Sequence, residues 1–381
     1  MSTIKVDGIR SNSASSDAIT LASDGTCTAN ITNKPNRNLI INGAMQVAQR
    51  GTSFTGITAT GTFPVDRFIF HVGSLGTWTL TQSTDVPTGQ GFANSIKCDV
   101  TTANTSPSGT AYARIDQRFE GRDVQAFCKG TSNAKQFAVS FWVKSPKTGT
   151  HILELQDGDN TRNISKAYTV SSADTWEKKE LIIDADTTGA FGNDNGKSLT
   201  VAWWLSAGAD YKSGTLATSW VSPSDANRVV GQVNVADNTA NNFYLTGVQL
   251  EVGSVATDFE HRSFGQELAL CERYCETILQ GETDGAYIAN SVAYTTNQMY
   301  AIIRFRTPKR ATNPTLYQTT GTDYYRMFRD GNNVTATGFT GTSWPNKYAT
   351  GIYNSMTITA GQAGLLGSDN SNAIVLITSE L

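Results

Sequence analysis

FAVSFWVKS, residues Phe137–Ser145, alternates without a break: Phe137, Val139, Phe141 and Val143 fall on one face, Ala138, Ser140 and Trp142 on the other. Side chains repeat every two residues along a strand, so the stretch reads as a β-strand with one buried face. The pattern continues outward in both directions. TWTLTQ, NSIKCDV, YARIDQRF, THILELQD, WEKKELIID, SLTVAWWLS and FYLTGVQLEV follow one another between Asn38 and about Glu260, each ending in Gly, Asn, Asp, Pro or Ser within a few residues. Eight or more antiparallel strands with no helices between them predict a mostly β chain whose main unit, residues 38–262, is a jelly-roll β-sandwich.

At 381 residues the chain exceeds one small core, and two compact units are expected. Charged residues make up 17% and the net charge is −3, which supplies no basic field for phosphates, so nucleic acid is not an expected partner. MSTIKVDGIR lacks a signal-peptide core, and no run approaches the roughly 18 apolar residues of a membrane span; synthesis in the cytoplasm without membrane insertion is expected. The cysteines at 27, 98, 128, 271 and 275 form no CxxC pair, and with three scattered histidines they read as buried thiols, with no structural zinc.

Ahead of the sandwich, AITLASDGTCTANI reads as a hairpin. A loop at Ser23–Gly25 pairs Leu21 with Cys27 and Ile19 with Ala29, which gathers Ile19, Leu21, Cys27 and Ile31 on one apolar face. So small a hairpin cannot stand alone in water, so residues 1–37 are expected to lie against another surface.

SFGQELALCERYCETILQG, Ser263–Gly281, is the one stretch with helical spacing. Ser263 and Gln266 form a capping box, and Gly281 closes the end. Phe264, Leu268, Cys271, Cys275 and Ile278 recur at four, three, four and three residues, the spacing of a coiled-coil seam, so residues 263–280 are read as a connector that registers copies of the chain. Packing of that helix on its own jelly roll is the other reading. Beyond it, residues 281–381 are again strand-like, end in the apolar AIVLITSEL and predict a second small β-sandwich rich in Tyr and Arg. Most of these tyrosines suit an interface between copies. Tyr324, Tyr325, Arg326, Trp344 and Tyr348 are also glycan-binding candidates, together with Trp203 and Trp204, of which only one can enter the core while the other points outward.

No nucleophile and base constellation surrounds His71, His151 or His261, so no catalytic residue is assigned. Asp157, Asp159, Asp184, Asp186 and Asp194 form the densest acidic loops; they read as solvated turns, with structural Ca²⁺ as the weaker alternative.

The order NLIINGAMQVAQRGTSF, VDRF, FAVSFWVKSPKTGTHILEL, TWEKKELIIDADTTG, SLTVAWWLSAG and FYLTGVQLEVGSVATDFEHRSFGQELALCERYCE resembles the carbohydrate-binding-module-like jelly roll of bacteriophage tail fibres and related virion proteins. KVDGIR and AITLASDG resemble the amino-terminal segment of such proteins in marine phages, and the likeness spans roughly residues 1 to 280. The resemblance implies a homotrimeric virion protein, made in the host cytoplasm, whose residues 1–37 join another virion protein such as a tail or portal adaptor. Its distal domain would meet a host surface polysaccharide. A capsid-attached head fibre or decoration protein and a glycan depolymerase are the alternatives.

Overall fold

A computed structural model describes residues 6–10, 12–13, 18–21, 23, 27–29, 35–280, 286–329, 331–341 and 345–381. Two six-stranded sheets form the jelly roll. In the first, the strands run in the order Glu177–Ile183, Phe137–Lys144, Asn242–Val252, Ser95–Thr102, Thr77–Ser83 and Ser53–Ile57. In the second, the order is Arg162–Val170, Gly149–Asp157, Lys197–Ala207, Tyr112–Glu120, Phe68–Gly73 and Thr62–Val65. All paired strands within them are antiparallel. The alternation in FAVSFWVKS sets the layer between them: Phe137, Val139, Phe141 and Val143 are fully buried beside Leu155, Val201, Trp203 and Leu245. The Asn38–Gln49 segment is tied across the sandwich by Asn42, whose Nδ2 donates to the carbonyls of Val47 (2.8 Å) and Asp66 (2.9 Å). Gly43 has no substitute there, because a Cβ would fall 2.2 Å from the carbonyl oxygen of Val248.

The same core holds His151, stacked on Tyr168 at 5.6 Å with its Nε2 3.1 Å from the Lys147 carbonyl. Burial lowers its pKa from 6.5 to about 4. The unfolded chain therefore takes up the proton first as the pH falls, and stability present above pH 6.5 is lost progressively down to about pH 4, by about 3 kcal/mol in total. His151→Phe keeps the stacking and removes the titration. In urea unfolding at neutral pH and at pH 4.5, the variant should lose less stability on acidification than the wild type.

The expected helix is shorter than its spacing implied. Ser263 caps it and forms the capping box with Gln266, but the helix covers Phe264–Glu272 only, and Cys275–Gln280 is a strand paired with Ile374–Thr378. Cys275 and Ile278 thus share no helical face with Phe264, Leu268 and Cys271. Phe264 is 57% exposed, whereas Cys271 and Cys275 are fully buried within the chain, so the five residues form no continuous seam. Gly281 lies outside the described residues. The helix packs on its own jelly roll: Glu267 accepts the backbone N–H of Asn42 at 2.5 Å. Just past it, Glu120 receives Arg273 Nε and Nη2 at 2.6 Å each and the Tyr274 hydroxyl at 2.7 Å.

The carboxyl-terminal unit is the expected second sandwich. Cys275–Gln280, Ile374–Thr378 and Thr315–Gln318 form a three-stranded sheet. A seven-stranded sheet lies against it, in the order Asn332–Ala336, Tyr325–Arg329, Ala363–Ser368, Tyr287–Thr295, Gln298–Arg304, Ala349–Ser355 and Thr340–Gly341. Met299, Ile303, Met327, Ile352 and Val375 fill the space between. At the other end, Ile19–Leu21 pairs with Cys27–Ala29 in the expected register, Leu21 opposite Cys27 and Ile19 opposite Ala29, and Gly8–Ile9 adds a third strand. Ile31 lies outside the described residues. Cys98 is buried and Cys128 half-buried, both as free thiols.

Candidate functional site

The outward face of the second jelly-roll sheet carries polar side chains where strand alternation would leave solvent-facing positions. Antiparallel register aligns them in rows: Asn163, Gln156, Thr200 and Arg118 in one, Ser165, Glu154, Ala202 and Asp116 in the next, and Trp204, Arg114 and His71 in a third. Asn163, Gln156 and Thr200 of the first row, Glu154 of the second and Arg114 of the third floor a cleft of about 360 Å³, lined also by Asp157, Gly158, Thr161, Arg162, Pro223 and Arg228. Lys197 lines it too.

Glu154 organises the floor. It is fully buried, and its two oxygens accept five donors: Arg228 Nε and Nη2 (2.8 and 2.9 Å), Trp204 Nε1 (3.0 Å), Gln156 Nε2 (3.0 Å) and Asn163 Nδ2 (3.3 Å). A bidentate guanidinium with three further donors fixes this carboxylate and its neighbours in one geometry. Asp157 is held from behind the cleft by Lys129 Nζ at 2.5 Å. Two buried polar atoms among the lining residues, Asn163 Oδ1 and Arg114 Nε, have no hydrogen-bond partner among the described residues. Such groups are costly to bury unsatisfied, and here they belong to side chains that line an open cleft.

The candidates read from the sequence are not brought together. Trp203 lies in the core against Phe68 and Phe141. Trp204 does point the other way, but it too is fully buried, packed with Ile152, Val229, Tyr211 and Leu216 beneath the segment 208–235 and lying between Arg114 and Arg228. Neither indole offers a ring face to solvent. Tyr325 is a core residue whose hydroxyl donates to the carbonyls of Thr319 and Ile374 (2.8 and 3.0 Å), which removes it as a glycan platform. Tyr324 is half-buried beside it, Arg326 is paired with Asp369 at 2.6 Å, and Tyr348 is 57% exposed. Trp344 lies outside the described residues.

The acidic loops are engaged by the protein itself. Lys129 Nζ sits between Asp157 and Asp186 (2.5 and 3.0 Å), where a bound cation would otherwise be sought, Arg162 adds a bidentate contact to Asp186, and Lys166 pairs with Asp184 at 2.9 Å. Asp159 and Asp194 accept the backbone N–H groups of Gly192 and Gly196.

No protein-family model matches the sequence, and no curated protein is similar to it. Among solved structures, the chain is similar to the enzymatically active domain of bacteriophage CBA120 tailspike protein 4, with 15% identity over 58% of this chain and 22% of that one and a TM-score of 0.30. The match therefore spans about a fifth of that domain's chain. It is also similar to TmCBM61 in complex with β-1,4-galactotriose, with 10% identity over 57% of this chain and 100% of that one and a TM-score of 0.28. A third likeness is to the family 22 carbohydrate-binding module of Clostridium thermocellum Xyn10B, at 12% identity, 50% and 89% coverage and a TM-score of 0.26. Likenesses this distant assign no function to the chain.

Proposed function

We propose that the protein is a bacteriophage fibre protein that binds a host surface glycan in the cleft of the second jelly-roll sheet and does not cleave it. The observation that carries this reading is the cleft itself: a preorganised floor of amide, hydroxyl and guanidinium groups around a fixed Glu154, suited to hydrogen-bonding a ladder of hydroxyls. The motif order that resembles virion fibre proteins supports the biological setting. Both carboxylates that line the cleft spend oxygens on hydrogen bonds to the protein, Glu154 to five donors and Asp157 to Lys129, so neither is set to serve as the acid and base of a glycosidase. The test is binding of purified envelope polysaccharide from a susceptible host, followed by its chain length. Wild-type protein should retain the polymer without shortening it. Gln156→Trp, which fills the cleft floor, should weaken binding by about tenfold or more. A falling polymer size, or binding untouched by Gln156→Trp, would contradict the reading.

The self-association in this reading belongs to the seven-stranded sheet, not to the short helix. Its outer face exposes Val292, Tyr294, Ile302 and Leu365 at 43, 71, 64 and 41%, with Tyr300 stacked on Tyr353 at 5.5 Å. The row Ala363, Val292, Tyr300, Tyr353 and Thr340 carries no charge. At the usual strand spacing the face covers about 600 Å², close to the roughly 800 Å² that each partner buries in a stable interface. A second copy of the chain meets the uncharged row, with the exposed Arg304 at its margin, and a homotrimer is the expected assembly. Ile302→Glu should raise the dissociation constant by about tenfold or more in sedimentation equilibrium. A wild type that is monomeric at micromolar concentration would remove self-association from the reading.

Residues 1–37 are assigned to the particle. Ile9 and Leu21 on the small sheet are 53% and 39% exposed, and sheets of this size are stable only against a larger surface. A chain beginning at Arg37 should bind polysaccharide normally and fail to join virions.

A further inference from the structure

The charge lining the cleft points to a ligand class. Four cationic side chains, Arg114, Arg162, Lys197 and Arg228, line it against two carboxylates, although the whole chain has a net charge of −3. The pairings inside the protein do not use all four. Arg228 is spent on Glu154, and Arg162 on Asp186 at 2.8 Å. Asp157 is matched by Lys129 behind the wall. Arg114 is ion-paired with the buried Asp116 at 3.6 Å, beyond hydrogen-bond reach, and its Nε makes no hydrogen bond among the described residues. Lys197 is exposed and has no ion-pair partner among the described residues; Glu120, opposite it in the register, is bound to Arg273 and Tyr274. Two cations with unused donors therefore remain, one toward each end of the floor.

Their spacing matters. Lys197 pairs across the sheet with Glu120 and Trp204 with Arg114, so the two cationic residues stand about 20 Å apart along the strands. A single small anion cannot reach both. A polymer bearing charges at intervals can, and the amides and hydroxyl between them, Asn163, Gln156 and Thr200, can take the intervening hydroxyl groups. The cleft also has no aromatic residue in its lining, since Trp204 is buried below it. Ring stacking, which usually supplies much of the affinity for neutral sugars, is not on offer, and binding must come from hydrogen bonds and charge.

We infer that the cleft takes an anionic glycan, a polysaccharide whose residues carry carboxylates, with Arg114 and Lys197 as the charge-reading residues. This rests on the cleft being the glycan site. The test is calorimetric titration of the full chain with polygalacturonate, alginate, hyaluronan and polysialic acid, each beside its carboxyl-reduced counterpart. At least one polyanion should bind about tenfold or more tightly than its reduced form. That preference should shrink between about 50 and 300 mM salt as the charges are screened. Lys197→Gln, an exposed substitution that leaves the fold intact, should remove much of the preference, and Arg114→Gln should do so from the other end. If no polyanion binds better than its reduced form, the inference is wrong. Reduced forms that bind equally well and are displaced by Gln156→Trp would leave the cleft as the glycan site and overturn only the charge preference. Polyanion binding that Gln156→Trp does not disturb would overturn both.

Discussion

Glu154→Ala should destabilise the jelly roll by about 3–5 kcal/mol in chemical denaturation. The loss comes from what remains. Arg228 would keep its place beside Trp204 and Tyr211 with only the exposed Asp225, at 3.3 Å from one Nη, to answer its charge, and the Trp204 N–H and Asn163 amide would lose their acceptor within the protein. A buried cation that loses its bidentate carboxylate and keeps one solvent-exposed partner costs more than a lost surface ion pair. Glu154→Gln preserves an acceptor for Trp204 while removing the charge, so it should fall between Glu154→Ala and the wild type. A Glu154→Ala protein within about 1 kcal/mol of wild type would mean that the cleft floor is hydrated and adaptable, not fixed.

A comparable loss is expected in the carboxyl-terminal unit from Lys309→Met. Lys309 is fully buried, its Nζ donating to Glu276 Oε2 and to the Glu272 carbonyl at 2.5 Å each, and Glu276 is itself 1% exposed. Removing the ammonium leaves the Glu276 carboxylate with the N–H of Arg306 as its hydrogen-bond donor and the exposed Arg306 guanidinium 3.8 Å away. The cost should again be about 3–5 kcal/mol. Lys309→Met combined with Glu276→Leu removes both charges and fills the space with apolar atoms. It should recover to within about 1–2 kcal/mol of wild type, because well-packed apolar replacements of a buried pair are often neutral. Failure of the double variant to recover would show that the pair holds the segment from Phe305 to Ala311 in place through directional bonds. That segment also ties Arg310 to Asn195 and Ser379, so the loss would then spread to the contact with the jelly roll.

Where one physical rule governed a segment, the sequence could be read. Period-two alternation placed Phe137, Val139, Phe141 and Val143 inside, and the need to keep Leu21 and Cys27 on one face set the register of the amino-terminal hairpin. The start of the helix was equally local, because a capping box needs only Ser263 and Gln266. Its end was not. Cys271, Cys275 and Ile278 satisfy a helical spacing, but Cys275, Thr277 and Leu279 satisfy a strand spacing as well, and the strand Ile374–Thr378, a hundred residues away, decides between them. Tertiary pairing overrode a local pattern that was ambiguous over eight residues.

The cleft was hidden for a different reason. Aromatic residues drew attention as sugar platforms, yet Trp203, Trp204 and Tyr325 spend their rings on cores. The cleft is built from residues on four strands, the loop between two of them and a covering segment, with Arg228 arriving from 74 positions beyond the Glu154 it binds. A signal did exist in THILELQD and YARIDQRF: Glu154, Arg114 and Asp116 are charged residues that alternate with the buried Leu153, Leu155, Ala113 and Ile115, on the face away from the core. Charges there need either solvent or partners, and the structure gives Glu154 five donors while Arg114 and Asp116 face each other at 3.6 Å.

The most direct test of the account is hydrogen exchange of the full chain with and without purified envelope polysaccharide from a susceptible host. If the jelly-roll cleft is the glycan site, added polysaccharide should slow exchange in Gly149–Asp157, in residues 158–163 and at the start of Lys197–Ala207, and leave the aromatic strands Gln298–Arg304 and Ala349–Ser355 unchanged. Protection confined to those carboxyl-terminal strands, with none across the cleft, would place the receptor contact in the second sandwich and contradict the central claim.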